Sequence, residues 1–80
     1  MGEVSLEEGD YIIRSDTWRG VTISTVGGGS ESAESVDDAR RAIMALMRRD
    51  KFYPTVWIGY DRCDPMVDDE FTYPSEVLHG

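Results

Sequence analysis

Residues 35–49 repeat their apolar side chains at the period of an α-helix, and this stretch constrains the fold more than any other. At about 100° per residue, Val36, Ala39, Ile43, Leu46 and Met47 fall on one stripe, while Asp38, Arg41, Ala45 and Arg48 point elsewhere. Ser35 has the hydroxyl of a helix N-cap, and Asp38 stands three residues on, the capping-box spacing with Asp in place of Glu. Asp37 and Asp38 open the helix and Arg48 and Arg49 close it, so both ends complement the helix dipole. Asp50 and Lys51 end it, and Pro54 cannot continue it. No second stretch of this kind exists to pack against the stripe. It must therefore cover a sheet.

The strands follow from period-2 patterning and β-branched content. Tyr11-Ile12-Ile13-Arg14 and Val21-Thr22-Ile23-Ser24-Thr25-Val26 flank a turn-rich segment, residues 15–20, that ends in a glycine suited to positive φ; together they predict a β-hairpin. Gly27-Gly28-Gly29-Ser30 and the polar residues 31–34 predict a connector into the helix. After the helix, Thr55-Val56-Trp57-Ile58-Gly59-Tyr60 predicts a strand with Val56, Ile58 and Tyr60 on one face and Trp57 on the other. Residues 70–73 predict a short edge strand before Pro74. A helix between two strands also admits a right-handed crossover, if those strands are parallel neighbours.

The predicted fold is thus α+β: a single-layer sheet, made of the hairpin and one or two further strands, packed on one amphipathic helix in ββαβ(β) order. Eighty residues accommodate one domain, residues 1–80. Residues 1–9 read as a loose N-terminal segment, 10–60 as the core and 61–80 as an acidic loop and tail.

Sixteen Asp and Glu against eight Lys and Arg give a formal net charge of -8. Such a chain repels phosphates and anionic membrane surfaces, which argues against direct nucleic-acid or membrane binding. The same charge suits docking on a basic surface, or serves only to keep a small protein soluble. The single cysteine, Cys63, excludes an internal disulfide and a cysteine-based zinc site, and it suits a reducing, cytoplasmic setting. Neither a signal-peptide pattern nor a membrane-length apolar run is present, and Leu6 stands where a myristoylation motif needs Ser or Thr.

The candidate chemistry is thin. The glycine run lacks the Lys-Ser/Thr of a P-loop and the spaced glycines of a dinucleotide turn, and Glu31, Glu34, Asp37 and Asp38 would repel a phosphate there. Asp61, Asp64, Asp68, Asp69 and Glu70 put five carboxylates within ten residues, without the spacing of an EF-hand. They supply enough oxygen ligands in principle for calcium or magnesium, but read first as a solvated acidic loop or an anionic contact face. His79 stands beside the C-terminus, and Cys63 lies between Arg62 and Asp64 with no base in view; neither meets the needs of catalysis. The serines at 30, 32 and 35 are explained by capping and loop solubility. Arg40, Arg41, Arg48 and Arg49 form a cationic flank that ordinary pairing with Asp37 or Asp38 would absorb.

A sheet with one face covered leaves aromatics on the other, and Trp and Tyr are frequent interface anchors. Trp18, Trp57 and Tyr60, together with the carboxylates of residues 61–70, are therefore the expected partner-binding residues, unless the chain ends fold over the aromatics. The sequence favours a non-enzymatic acidic binding module without cofactor or metal. Its expected target is another protein's basic surface, as for an inhibitor or regulator of a nucleic-acid-handling enzyme. The alternative is a homodimeric accessory module, joined through the exposed aromatic sheet face.

Overall fold

The computed structural model describes residues 5–75. Six elements follow in chain order: β1 (Tyr11–Asp16), β2 (Gly20–Thr25), β3 (Ser30–Ala33), α1 (Val36–Asp50), β4 (Val56–Tyr60) and β5 (Met66–Val67). The strands form one five-stranded sheet in the order β3-β2-β1-β4-β5, and α1 packs on one face of it, an α+β fold. Among the described residues, no helix is long and apolar enough to cross a membrane.

The predicted hairpin forms between β1 and β2, with Ile13 opposite Ile23 and Asp16 opposite Gly20. Gly20 has φ +81, a conformation that a β-carbon would strain, so the turn depends on glycine at that position. The glycine run, expected to be a plain connector, instead closes a second hairpin. Gly28 N–H donates to Thr25 O at 2.8 Å, Thr25 N–H donates to Gly29 O at 3.0 Å, and β3 pairs antiparallel with β2. Residues 30–33 lack apolar alternation because β3 is an edge strand, exposed along most of its length, so only its backbone had to fit.

α1 has the boundaries its pattern predicts. The Ser35 hydroxyl accepts from Asp38 N–H at 3.0 Å. At the other end Lys51 turns left-handed and its N–H reaches Met47 O, a glycine-like cap made by a lysine. Ala39, Ile43 and Met47 are fully buried and form the centre of the stripe, while Val36 and Leu46 lie at its partly covered margins. The stripe meets Tyr11, Ile13, Ile23, Val56 and Ile58, the inward residues of β1, β2 and β4.

The parallel neighbour of β4 is β1, not β2. Tyr11 pairs with Val56 and Ile13 with Ile58, so the second hairpin and the helix together bridge a β1-to-β4 crossover. Parallel pairing puts the ends of β1 and β4 on the same side of the sheet, so the loops that follow them become neighbours. Beyond β4, the edge strand is Met66–Val67, not residues 70–73. Residues 70–73 form no edge strand because burial uses their two aromatics otherwise. Phe71 joins the core and stacks edge-on against Tyr73 at 5.0 Å, and Tyr73 OH donates to Pro54 O at 2.8 Å.

The segment before β1 is more tightly held than its polarity suggests. Gly9 N–H donates to Val26 O at 3.0 Å and Asp10 N–H to Glu7 O at 3.0 Å, which fixes a turn over residues 7–10. Residues 1–4 and 76–80, including His79, lie outside the described part of the chain.

Candidate functional site

The expected contact residues, together with acidic residues of the β3 margin that were not among them, fall into three groups. The first is buried. Trp57 does sit on the face opposite α1, as its alternation requires, yet it is only 4% exposed. Register places it between Ile12 on β1 and Val67 on β5, and its indole N–H donates to Asp10 Oδ2 at 3.0 Å. Asp10 is itself buried, and the same Oδ2 accepts from Glu7 N–H at 3.0 Å. A buried indole with a satisfied N–H belongs to the interior, so Trp57 is not the exposed seam that the sheet-face reading expected.

Asp68 is also withdrawn from the surface. Its carboxylate is 2% exposed and takes a bidentate pair from Arg40, Nε and a terminal nitrogen each at 2.9 Å. The pair holds the Arg40 guanidinium above its ordinary value, with the Asp68 hydrogen bond as the largest cause. Arg40 also reaches Asp37 at 3.5 Å and Glu70 at 3.6 Å. With Arg41 on Asp38 and Arg49 on Asp50, most helix carboxylates have a cation of their own. Among the described residues no three acidic, histidine or cysteine side chains converge as metal ligands.

The second group lies along the sheet margins. Glu31 on β3 and Glu34 just after it are exposed and make no ion pair among the described residues. Glu8 joins that margin, its side chain lying within about 3 Å of where a β-carbon on Gly27 would sit. On the opposite margin Asp69 is exposed just after the two-residue strand β5, and Asp64 is exposed in the β4–β5 loop that leads from the tip to it.

The third group is the tip where the β1–β2 turn meets the β4–β5 loop. Asp61 ties the two together: Thr17 N–H donates to its Oδ1 at 2.8 Å, Thr17 OH to its Oδ2 at 3.3 Å, and its own N–H reaches Ser15 O at 3.2 Å. Arg14 completes the tie by donating to Asp61 O at 2.7 Å and Cys63 O at 3.2 Å. It can do so because Gly59, its register partner on β4, has no side chain. A β-carbon there would stand 2.7 Å from the guanidinium. Trp18 projects from this braced tip at 92% exposure, beside a hollow of about 830 Å³ lined also by Arg19, Arg62 and Cys63. Tyr60, 49% exposed, adjoins the tip at the end of β4.

Set beside known proteins, the chain matches no family model, and no curated protein or solved structure resembles it significantly. The residues alone must carry the functional reading.

Sequence reasoning thus placed Trp18, Tyr60, Asp61, Asp64, Asp69 and Glu70 at the surface, where they are, and misplaced Trp57 and Asp68. It missed Arg14, Thr17, Arg19 and Arg62 as one assembly. Each loop has turn composition, but nothing in either loop reports that parallel β1–β4 pairing makes them neighbours.

Proposed function

We propose that this protein is a non-enzymatic binding module that engages a basic segment of a partner protein along the β3 margin. The single observation behind this reading is that β3 is an open sheet edge whose flanking carboxylates, Glu31 and Glu34, have no cationic partner among the described residues. An antiparallel edge strand directs alternate N–H and C=O groups outward, ready to pair with an added strand. The carboxylates bias which strand can be added: an acidic one is repelled and an Arg- or Lys-bearing one is attracted. A second copy of this chain would oppose Glu31 and Glu34 with its own, so the edge selects against itself. With a net charge of -8 adding long-range attraction, a basic surface that otherwise holds nucleic acid is a fitting target, and an inhibitor or regulator of a nucleic-acid-handling enzyme is the role this implies.

The direct test is a titration with an Arg-rich peptide followed by amide chemical shifts. Perturbations should concentrate at residues 30–34, weaken as salt is raised, and vanish in a Glu31→Lys, Glu34→Lys double variant. Shifts spread over the helix, or binding untouched by the double substitution, would sink the reading. Affinity capture from the source organism should recover basic proteins released by salt; only neutral or acidic partners held in high salt would count equally against it.

A further inference from the structure

The tip carries a second interaction surface, and its fitted partner is another copy of this chain. We propose that two molecules associate tip to tip through a two-fold contact centred on Trp18, a reading independent of the β3 margin.

Three observations converge on it. The first is exposure on a braced loop: Trp18 is 92% exposed, and its loop is tied to the β4–β5 loop through Thr17, Asp61 and Arg14. A loop already tied in place has less backbone freedom to lose on association, which favours an exposed indole carried on it as an interface anchor. The second is shape. The hollow of about 830 Å³ beside Trp18 is lined by residues of both loops, so one patch offers both a projecting ring and a place to receive one. Two-fold contacts require this self-complementarity.

The third observation is charge. Arg14, Arg19 and Arg62 and Asp16, Asp61 and Asp64 all lie on the two tip loops or the strand ends beside them, three of each sign, so the whole net charge of -8 resides elsewhere on the chain. Two copies repel one another over most of their surface but not here. Arg19 and Arg62 make no ion pair among the described residues, and Asp64 makes none either, so each copy brings unpaired groups of both signs. Small interfaces bury about 500 Å² per partner, less than a tenth of this chain's 5675 Å² surface. Residues 17–20 and 60–64, Trp18 among them, are all exposed and supply the contact, which suits a small, reversible interface.

Cys63 supplies the experiment, because it is the sole cysteine, it is exposed, and it lines the hollow. Any thiol–thiol cross-link must join Cys63 to Cys63. A short bis-maleimide should yield covalent dimer from the wild-type chain, with a yield that rises with protein concentration, and none from Cys63→Ser. Trp18→Ala should slow cross-linking at least about tenfold, the loss expected of an anchor residue. Its labelling by a single maleimide should match wild type, which shows that the thiol is still reachable. Sedimentation over about a hundredfold range of concentration should give a monomer–dimer equilibrium for wild type and monomer alone for Trp18→Ala. A wild-type chain that sediments as monomer throughout overturns the proposal. So does a dimer that fails to cross-link or that survives Trp18→Ala.

Discussion

The two tryptophans invite comparison, since each follows a polar or β-branched residue in a sheet-forming region and they end in opposite surroundings. Trp57 lies in β4, between β1 and β5, and is 4% exposed with its N–H bonded to Asp10. Trp18 sits in a turn at the sheet's end and is 92% exposed. The difference is one of lateral neighbours: Trp57 has paired strands on both flanks, whereas Trp18 lies on a turn outside the ladder. Trp57, the aromatic expected to meet a partner on the uncovered sheet face, is buried, and the exposed tryptophan is the one at the tip.

Substitution gives the sharpest contrast. Trp57→Ala should cost about 3–5 kcal/mol in chemical denaturation, and Trp18→Ala less than about 0.5 kcal/mol. Comparable losses at the two sites would break the comparison. Emission spectra sharpen it further. A Trp18→Phe variant, left with Trp57 alone, should emit at shorter wavelength and resist acrylamide, and Trp57→Phe should do the reverse.

A parallel contrast exists among the arginines. Arg40→Ala strands the buried Asp68 carboxylate and should cost about 3 kcal/mol, measured by urea midpoint. Arg41 is 72% exposed on its Asp38 partner, so Arg41→Ala should change the midpoint hardly at all. Equal effects would mean that Asp68 is reached by water and the pair is an ordinary surface contact.

Asp10 is the polar support of the buried tryptophan. Asp10→Ala leaves the Trp57 and Glu7 N–H groups without an acceptor and should cost about 1–3 kcal/mol. If Trp57→Phe is made first, the further cost of Asp10→Ala should shrink, because one of the two orphaned donors is already gone. Full additivity in that double-mutant cycle would show that the indole bond contributes nothing.

Smaller effects follow from titration. Burial, aided by the Asp50 charge, pushes the Tyr11 phenol above its ordinary value of 10.0. The folded state then holds that proton more tightly than the unfolded one, so its stability is intact below the ordinary phenol value and falls as pH rises through and beyond it. Tyr73 is raised for the same leading reason. Tyr11→Phe should flatten the alkaline fall in melting temperature, and an unchanged slope would place the titrating group elsewhere. Asp50 lies below its ordinary 3.8 through the Arg49 hydrogen bond. Its contribution is present above that ordinary value and lost as pH drops through the lowered one. Being exposed to solvent, it should leave only a trace in Asp50→Asn acid titrations.

How far the candidate surfaces were legible varies with the distance over which they are built. The helix was readable in full, because periodicity, the Ser35 cap and the charges at both ends all lie within its own residues. The β3 margin was half readable: Glu31 and Glu34 were visible as charges, but a polar edge strand carries no alternation to announce it. The tip was visible as two turns and invisible as one site. Asp61 and Thr17 stand 44 residues apart, and only the β1–β4 register joins them.

The sequence by itself determined the class of the fold, one amphipathic helix on a sheet begun by a hairpin, since local periods and caps are properties of neighbouring residues. Tertiary structure decided which carboxylates remain available and which tryptophan is on view. Asp68 is neutralised by an arginine 28 positions away, and Trp57 is satisfied by an aspartate 47 positions away. Burial and pairing depend on what the chain brings alongside a residue from elsewhere, and no local pattern encodes that.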